Sequence, residues 1–220
     1  MHHRRITTAL TVAALAAGAV ALTACGDDDS SNAGATATAT AQAGKANGTD
    51  LAFATGMIGH HEMAVDMGKT AQERATHEQV KTLAKAIVTT QTAEIAQLKK
   101  ARERMAGAGV TPKDLGMSRS ETGMTGDMPM LEQSKEFDRT FLTMMVPHHE
   151  GAIRMARVEL ARGQDPEMRA LAKQIVTAQS KEIDEMTAWQ KDWYGEDTAG
   201  SGHMSGSDHM STSGMMDHSD

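Results

Sequence analysis

Two His-His-Glu triplets, His60-His61-Glu62 and His148-His149-Glu150, recur 88 residues apart, each among methionines. Imidazole nitrogens and thioether sulfurs are neutral donors for soft metal ions, and thioethers select Cu(I). Met57 and Met67 flank the first pair, and Met145 and Met155 flank the second. Glu94 and Glu182, also 88 apart, add two carboxylates that could ligate a metal or orient the imidazoles from behind. With 18 Met and 10 His in 220 residues, metal binding is the chemistry to test first. The single Cys25 rules out a disulfide framework and a Cys-built zinc or iron–sulfur site.

The spacing around these residues is helical. Phe53, Met57, His60, Ala64, Met67 and Ala71 recur at steps of 4 and 3, one stripe of an α-helix. Val80, Leu83, Ile87, Gln91, Glu94, Leu98, Ala101 and Met105 make a second stripe after a short break at Ala75-Thr76-His77. The same pattern returns at offset 88, from Asp138 and Phe141 through Ile183, so the chain is an internal duplication. Asp165 and Pro166 suit the N-cap and first position of the last helix. Short turns make antiparallel neighbours. The expected fold is all-α: a four-helix bundle of two repeated hairpins, 50–105 and 135–194, joined by a Met-rich crossover over 106–134.

Register then brings the polar residues together. His60 and Glu94 lie 17 residues either side of position 77, and His148 and Glu182 lie 17 either side of position 165. Each His therefore meets a Glu at one height of its hairpin, and a pseudo-two-fold brings both sets to one level. The wheel puts His60 at the centre of its stripe and His61 about 100° away on its flank. Buried charge needs compensation. A His–Glu hydrogen-bonded network with methionine as filler would supply it, as would a metal held by His60, His61, His148, His149, Met57, Met67, Met145 and Met155, with Glu94 and Glu182 as ligands or supports.

The ends carry other signals. Arg4 and Arg5 precede an apolar run, Ala9 to Leu22, too short to span a bilayer and suited to a secretory signal. Leu22-Thr23-Ala24-Cys25 resembles a lipoprotein cleavage box, which makes 1–24 a signal peptide and Cys25 the site of lipidation. The expected location is extracytoplasmic, anchored in the outer leaflet of the cytoplasmic membrane. Residues 25–49, rich in Gly, Ala and Thr, read as a flexible tether reaching about 25–30 Å. From 195 to 220 a Gly/Ser/Asp tail holds His203-Met204, His209-Met210, Met215-Met216 and His218, which suits copper capture.

A net charge of -7 with no basic cluster beyond the N-terminus argues against nucleic acid as a partner. No nucleophile–base spacing or phosphate loop is present, so an enzyme is not expected. A ferritin-like di-iron oxidoreductase would want four inward Glu and two Glu-x-x-His motifs, whereas the stripes supply two inward Glu. A metal-free partner-binding bundle would show an apolar surface patch instead of a polar midplane. Copper is favoured as Cu(I), with zinc or iron as alternatives, and a copper-handling protein is an expected partner.

The pattern Asp-x2-Phe-x3-Met-x2-His-His-x2-Ala-x2-Met, with Met-Val-Pro-His-His-Glu-Gly-Ala in its second copy, resembles the bacterial family named domain of unknown function 305. The resemblance covers residues 50–194. It implies a ferritin-like fold, frequent secretion and, for some members, copper binding and resistance. Gly59 replaces the family's commoner Pro before the first His pair.

Overall fold

The structure, a computed structural model, describes residues 46–195. Cys25, the expected signal peptide, the expected tether up to residue 45 and the Met/His-rich segment from residue 196 lie outside the described residues. Four long helices dominate: α1 (Gly48–Arg74), α2 (Glu78–Gly107), α4 (Phe137–Arg162) and α5 (Pro166–Tyr194), with the short α3 (Met128–Gln133) in the crossover. The chain is all-α, as its periodicity dictates. Among the described residues no helix is long and apolar enough to cross a membrane.

Local signals start and stop the helices, and α1 begins at Gly48, inside the stretch expected as tether. Asn47 caps α1 by accepting from Thr49 N and Asp50 N, and Asp50 answers it in a capping box. Asp165 caps α5 by accepting from Glu167 N and Met168 N, with Pro166 in the first turn. Gly195 closes α5 in the left-handed region at φ 69°. α4 runs unbroken through Pro147.

α1 packs on α2 and α4 packs on α5, while α1 and α4 also pack on each other and α2 meets α5 only slightly. α1 and α4 are therefore the inner pair. Buried apolar residues form two clusters: one contains Met67, Leu83, Phe141 and Met145, the other Met57, Leu98, Met155 and Ile175. Met67 shares a cluster with Met145 and Met57 with Met155, so α1 and α4 run antiparallel.

The repeat also explains Asp50 and Asp138. Asp138, at the start of α4, accepts from Thr76 N (2.9 Å), Thr76 Oγ1 (2.7 Å) and His77 N (2.8 Å) in the turn of the other hairpin. Asp50, its counterpart, accepts from Gln164 N and Asp165 N, each at 2.8 Å. Each hairpin's first carboxylate thus fastens the other hairpin's turn. Burial alone would raise the Asp138 carboxyl, but the Thr76 and His77 donors hold it below its ordinary value.

Candidate metal centre

Four imidazoles meet at mid-height, between the two apolar clusters. His60, His61, His148 and His149 are each no more than 1% exposed. His60 on α1 and His148 on α4 lie opposite each other across the inner helix pair, with ring centroids 3.8 Å apart and planes tilted by 39°. His61 and His149 turn the other way, each towards its own hairpin partner. His149 Nε2 donates to Glu182 at 2.8 Å. Glu94 lies 2.8 Å from His61 Nε2, but too far off line for a well-formed hydrogen bond.

This corrects the expected register by one residue. Glu94 and Glu182 pair with His61 and His149, not with His60 and His148. His61, expected on the flank of its stripe, is fully buried. The cause is that α1 and α4 are covered on two sides, so residues 100° apart on the wheel both fall into interfaces.

The hydrogen bonds determine which ring nitrogens remain free. The Thr122 carbonyl can only accept, so His60 Nε2 must carry its proton towards it, at 2.9 Å. That leaves the lone pair on His60 Nδ1. His149, donating through Nε2, likewise has its lone pair on Nδ1. Nδ1 of all four histidines is buried without a partner, as is Nε2 of His148. Burial, then the neighbouring His61, lowers the His60 pKa to about 3. His148 is pushed well below its ordinary value by burial and then by His60. Both rings are therefore neutral at pH 7, the form that binds a metal.

Among the described residues, no three His, Cys, Asp or Glu side chains form a ready metal cage. The donors beyond the two facing rings are thioethers. Met57, Met67 and Met145 are fully buried, and Met155 is 3% exposed. They lie in the apolar clusters on either side of the imidazole layer. Gln91 and Gln179, one turn before the two glutamates, are buried with unpartnered side-chain oxygens, which makes the midplane more polar than the His and Glu alone would.

Periodicity could not reveal the cover over this layer. The crossover, expected as a linker over 106–134, contains α3 and folds a strap of residues 118–125 onto α4. A Cβ on Gly151 would run into the Thr122 carbonyl, and one on Gly123 into the backbone of Pro147 and His148. Gly123 also has φ 70°, a conformation natural to glycine. Arg154 Nε donates to the Glu121 carbonyl at 2.7 Å and Ser118 Oγ to the Glu121 carboxylate at 2.6 Å. The glycines and Thr122 could have been suspected only from the clustering of Gly in the crossover.

Glu159, buried while Glu182 is only partly so, corrects the count of two inward Glu. It is fully buried at the end of the bundle near Asp50, away from the histidines. The only large hydrophobic residue exposed among the described residues is Met130.

Known structures share this fold. The structure resembles CopM in its Cu(I)-bound form, with 32% identity and a TM-score of 0.57, covering 66% of this chain and 97% of that one. CopM has also been crystallised with silver and with Cu(II). A DUF305 fragment from Deinococcus radiodurans matches at 28% identity and TM-score 0.56, over 66% of this chain and 96% of that one. A DUF305 protein of Streptomyces coelicolor, described as secreted, matches at 27% identity and TM-score 0.57, over 66% and 93%. An uncharacterized protein of Acanthamoeba polyphaga mimivirus is 39% identical over 51 residues, 23% of this chain and 34% of the viral protein; the chain thus spans about a third of that relative. The family model for the domain of unknown function DUF305 matches residues 50–189 and again 138–220. The two matches begin at Asp50 and Asp138, the first aligned residues of the duplication. With its paired His-His motifs, mutually fastened hairpins and a family match over more than half its length, the chain belongs to the DUF305 family.

Proposed function

We propose that this protein is an extracytoplasmic, membrane-anchored copper-binding protein that sequesters or hands on copper. The metal is Cu(I), held in the bundle at the facing His60 and His148 with thioethers from Met57, Met67, Met145 and Met155, and captured by the Met/His-rich tail. One observation carries the reading: buried neutral imidazoles with unpartnered Nδ1 atoms face each other between methionines. Leaving such nitrogens dry and unbonded costs about 1–3 kcal/mol each, and a metal ion would satisfy them. His61 and His149 complete the imidazole layer, and Glu94 and Glu182 serve as their supports rather than as ligands, because each faces Nε2 and leaves Nδ1 for the metal. The low coordination that Cu(I) accepts fits a site without three hard donors, whereas structural zinc wants four ligands. CopM, of the same fold, binds Cu(I), which supports copper here. The anchor is lipid on Cys25.

Purified protein in competition among Cu(I), zinc and iron under reducing conditions should take Cu(I). Ligand bound only to the native state stabilises it by about 2.7 kcal/mol at a hundredfold excess over Kd, a rise of roughly 5–10 °C in Tm at this size. Deleting residues 196–220 should reduce the copper bound and leave most of that rise. His60→Ala with His148→Ala should remove the rise while the tail still binds; metal-free controls correct for the lower baseline. Preferential zinc binding, or a rise lost with the tail and kept without the two histidines, would overturn the core site.

A further inference from the structure

Away from the imidazole layer, one group of methionines has no counterpart in the duplication. The positions equivalent to Met63 and Met144 in the other repeat are Gly151 and Gly56, so this group exists at one end of the bundle only. Gly126 of the crossover sits over it. A Cβ there would lie 3.5 Å from Met63 Sδ, 4.0 Å from Met67 Sδ and 3.4 Å from Met144 Cε. Two sulfurs and a third thioether's methyl thus face one point, and the missing side chain of Gly126 leaves that point open. Met144 is buried at 8% exposure, yet it and the 53%-exposed Met130 line one open cleft of about 480 Å³ along α3 and α4. Met128, partly buried, packs on the same cluster. Met144 therefore belongs both to the cleft that Met130 borders and to the buried group under Gly126.

We propose that Met63, Met67 and Met144 form a second soft-cation site, built of thioethers alone, with Met130 as its solvent-facing mouth. Core packing alone accounts poorly for it, since Met130 gains little by burial and two of the positions are glycine in the other repeat. Sulfur-only donors take Cu(I) or Ag(I) and reject zinc, calcium and magnesium. The choice of cation rests on the proposed copper function, but apart from Met67 the residues are different ones.

The test uses the full chain with carbon-13 in its methionine methyl groups, titrated with Ag(I), a redox-inert probe, and followed by NMR. Signals are assigned by single Met→Leu changes, which conserve volume. The methyls of Met63, Met67 and Met144 should shift together in one saturating step, and Met63→Leu with Met144→Leu should lose one equivalent of Ag(I). Gly126→Val, filling the space over the sulfurs, should weaken that step at least tenfold with the helical signal unchanged. His60→Ala with His148→Ala should leave the step in place. Methyls that do not move together, or full Ag(I) stoichiometry in the double Leu variant, would overturn the proposal. If the histidine variant loses its own equivalent and the methionine variant loses none, the second site falls while the copper function stands. If the chain takes up no Ag(I) at all, both fall.

Discussion

Glu159 shows how one side chain can set a pH dependence. Neither of its oxygens has a partner as a carboxylate. Burial, then the hydrogen bond and charge of Asp50, raise its pKa from 4.5 to about 9, so it is a neutral acid that donates to Asp50. Between those values the folded chain holds a proton that the unfolded chain has lost, so this group makes stability fall as pH rises through the window. Ala71 occupies the same position in the first repeat, so the bundle does not require a carboxyl there. Glu159→Gln should flatten the decline and stabilise the protein by about 1–3 kcal/mol at pH 9 relative to pH 5. Urea midpoints at the two pH values measure this, and equal slopes for variant and wild type would put the proton elsewhere.

Among the elements, the strap over the histidines has the clearest dependence on a single atom. Gly→Ala inside a helix normally gains up to about 1 kcal/mol. At Gly151 the added methyl meets the backbone of Thr122 and Gly123, and backbone yields less readily than a side chain. Overpacking of this kind costs about 1–3 kcal/mol, so the clash outweighs propensity. Gly151→Ala should lower stability, and by lifting the strap it should break the bond from His60 Nε2 to the Thr122 carbonyl. Hydrogen exchange reads the change: the amides of Thr122 and Gly123 should lose protection while mid-helix amides of α2 and α5 keep theirs. Unchanged exchange in the strap would mean that the crossover is not seated by this contact.

For the whole molecule, the two aspartates join what the duplication left as separate hairpins. Asp138 collects donors from Thr76 and His77, and Asp50 from Gln164 and Asp165, so each carboxylate bridges segments far apart in sequence. Asp138→Asn keeps the shape, removes the charge and leaves one accepting oxygen for several donors. Equilibrium denaturation should show a loss of about 2–3 kcal/mol. The Asp138 carboxyl is held below its ordinary value, so its contribution is present at neutral pH and is lost as pH falls through the folded-state value. The difference between wild type and variant should therefore shrink in strong acid. A constant difference at all pH values would point to packing instead of charge.

Much of this was readable from the residues in order. Helix stripes, the cap at Asp165, both turns and the duplication are local properties, decided by steps of 3 and 4 residues and by side chains that bond their own backbone. The burial of His60 and His148 at one height followed from the same arithmetic. Which neighbour each ring faces did not. A helix covered on two sides buries residues 100° apart, and only the packing of α1 between α2 and α4 assigns His60 to His148 and His61 to Glu94. Glu159 escaped for a similar reason, since a long acidic side chain reads as solvent-facing until a second hairpin closes over it. The crossover has no period to read, and its place over the histidines depends on glycines that let two backbones touch. Sequence alone determined the helices and the donors; tertiary structure decided which donors meet, because that depends on contacts between segments tens of residues apart.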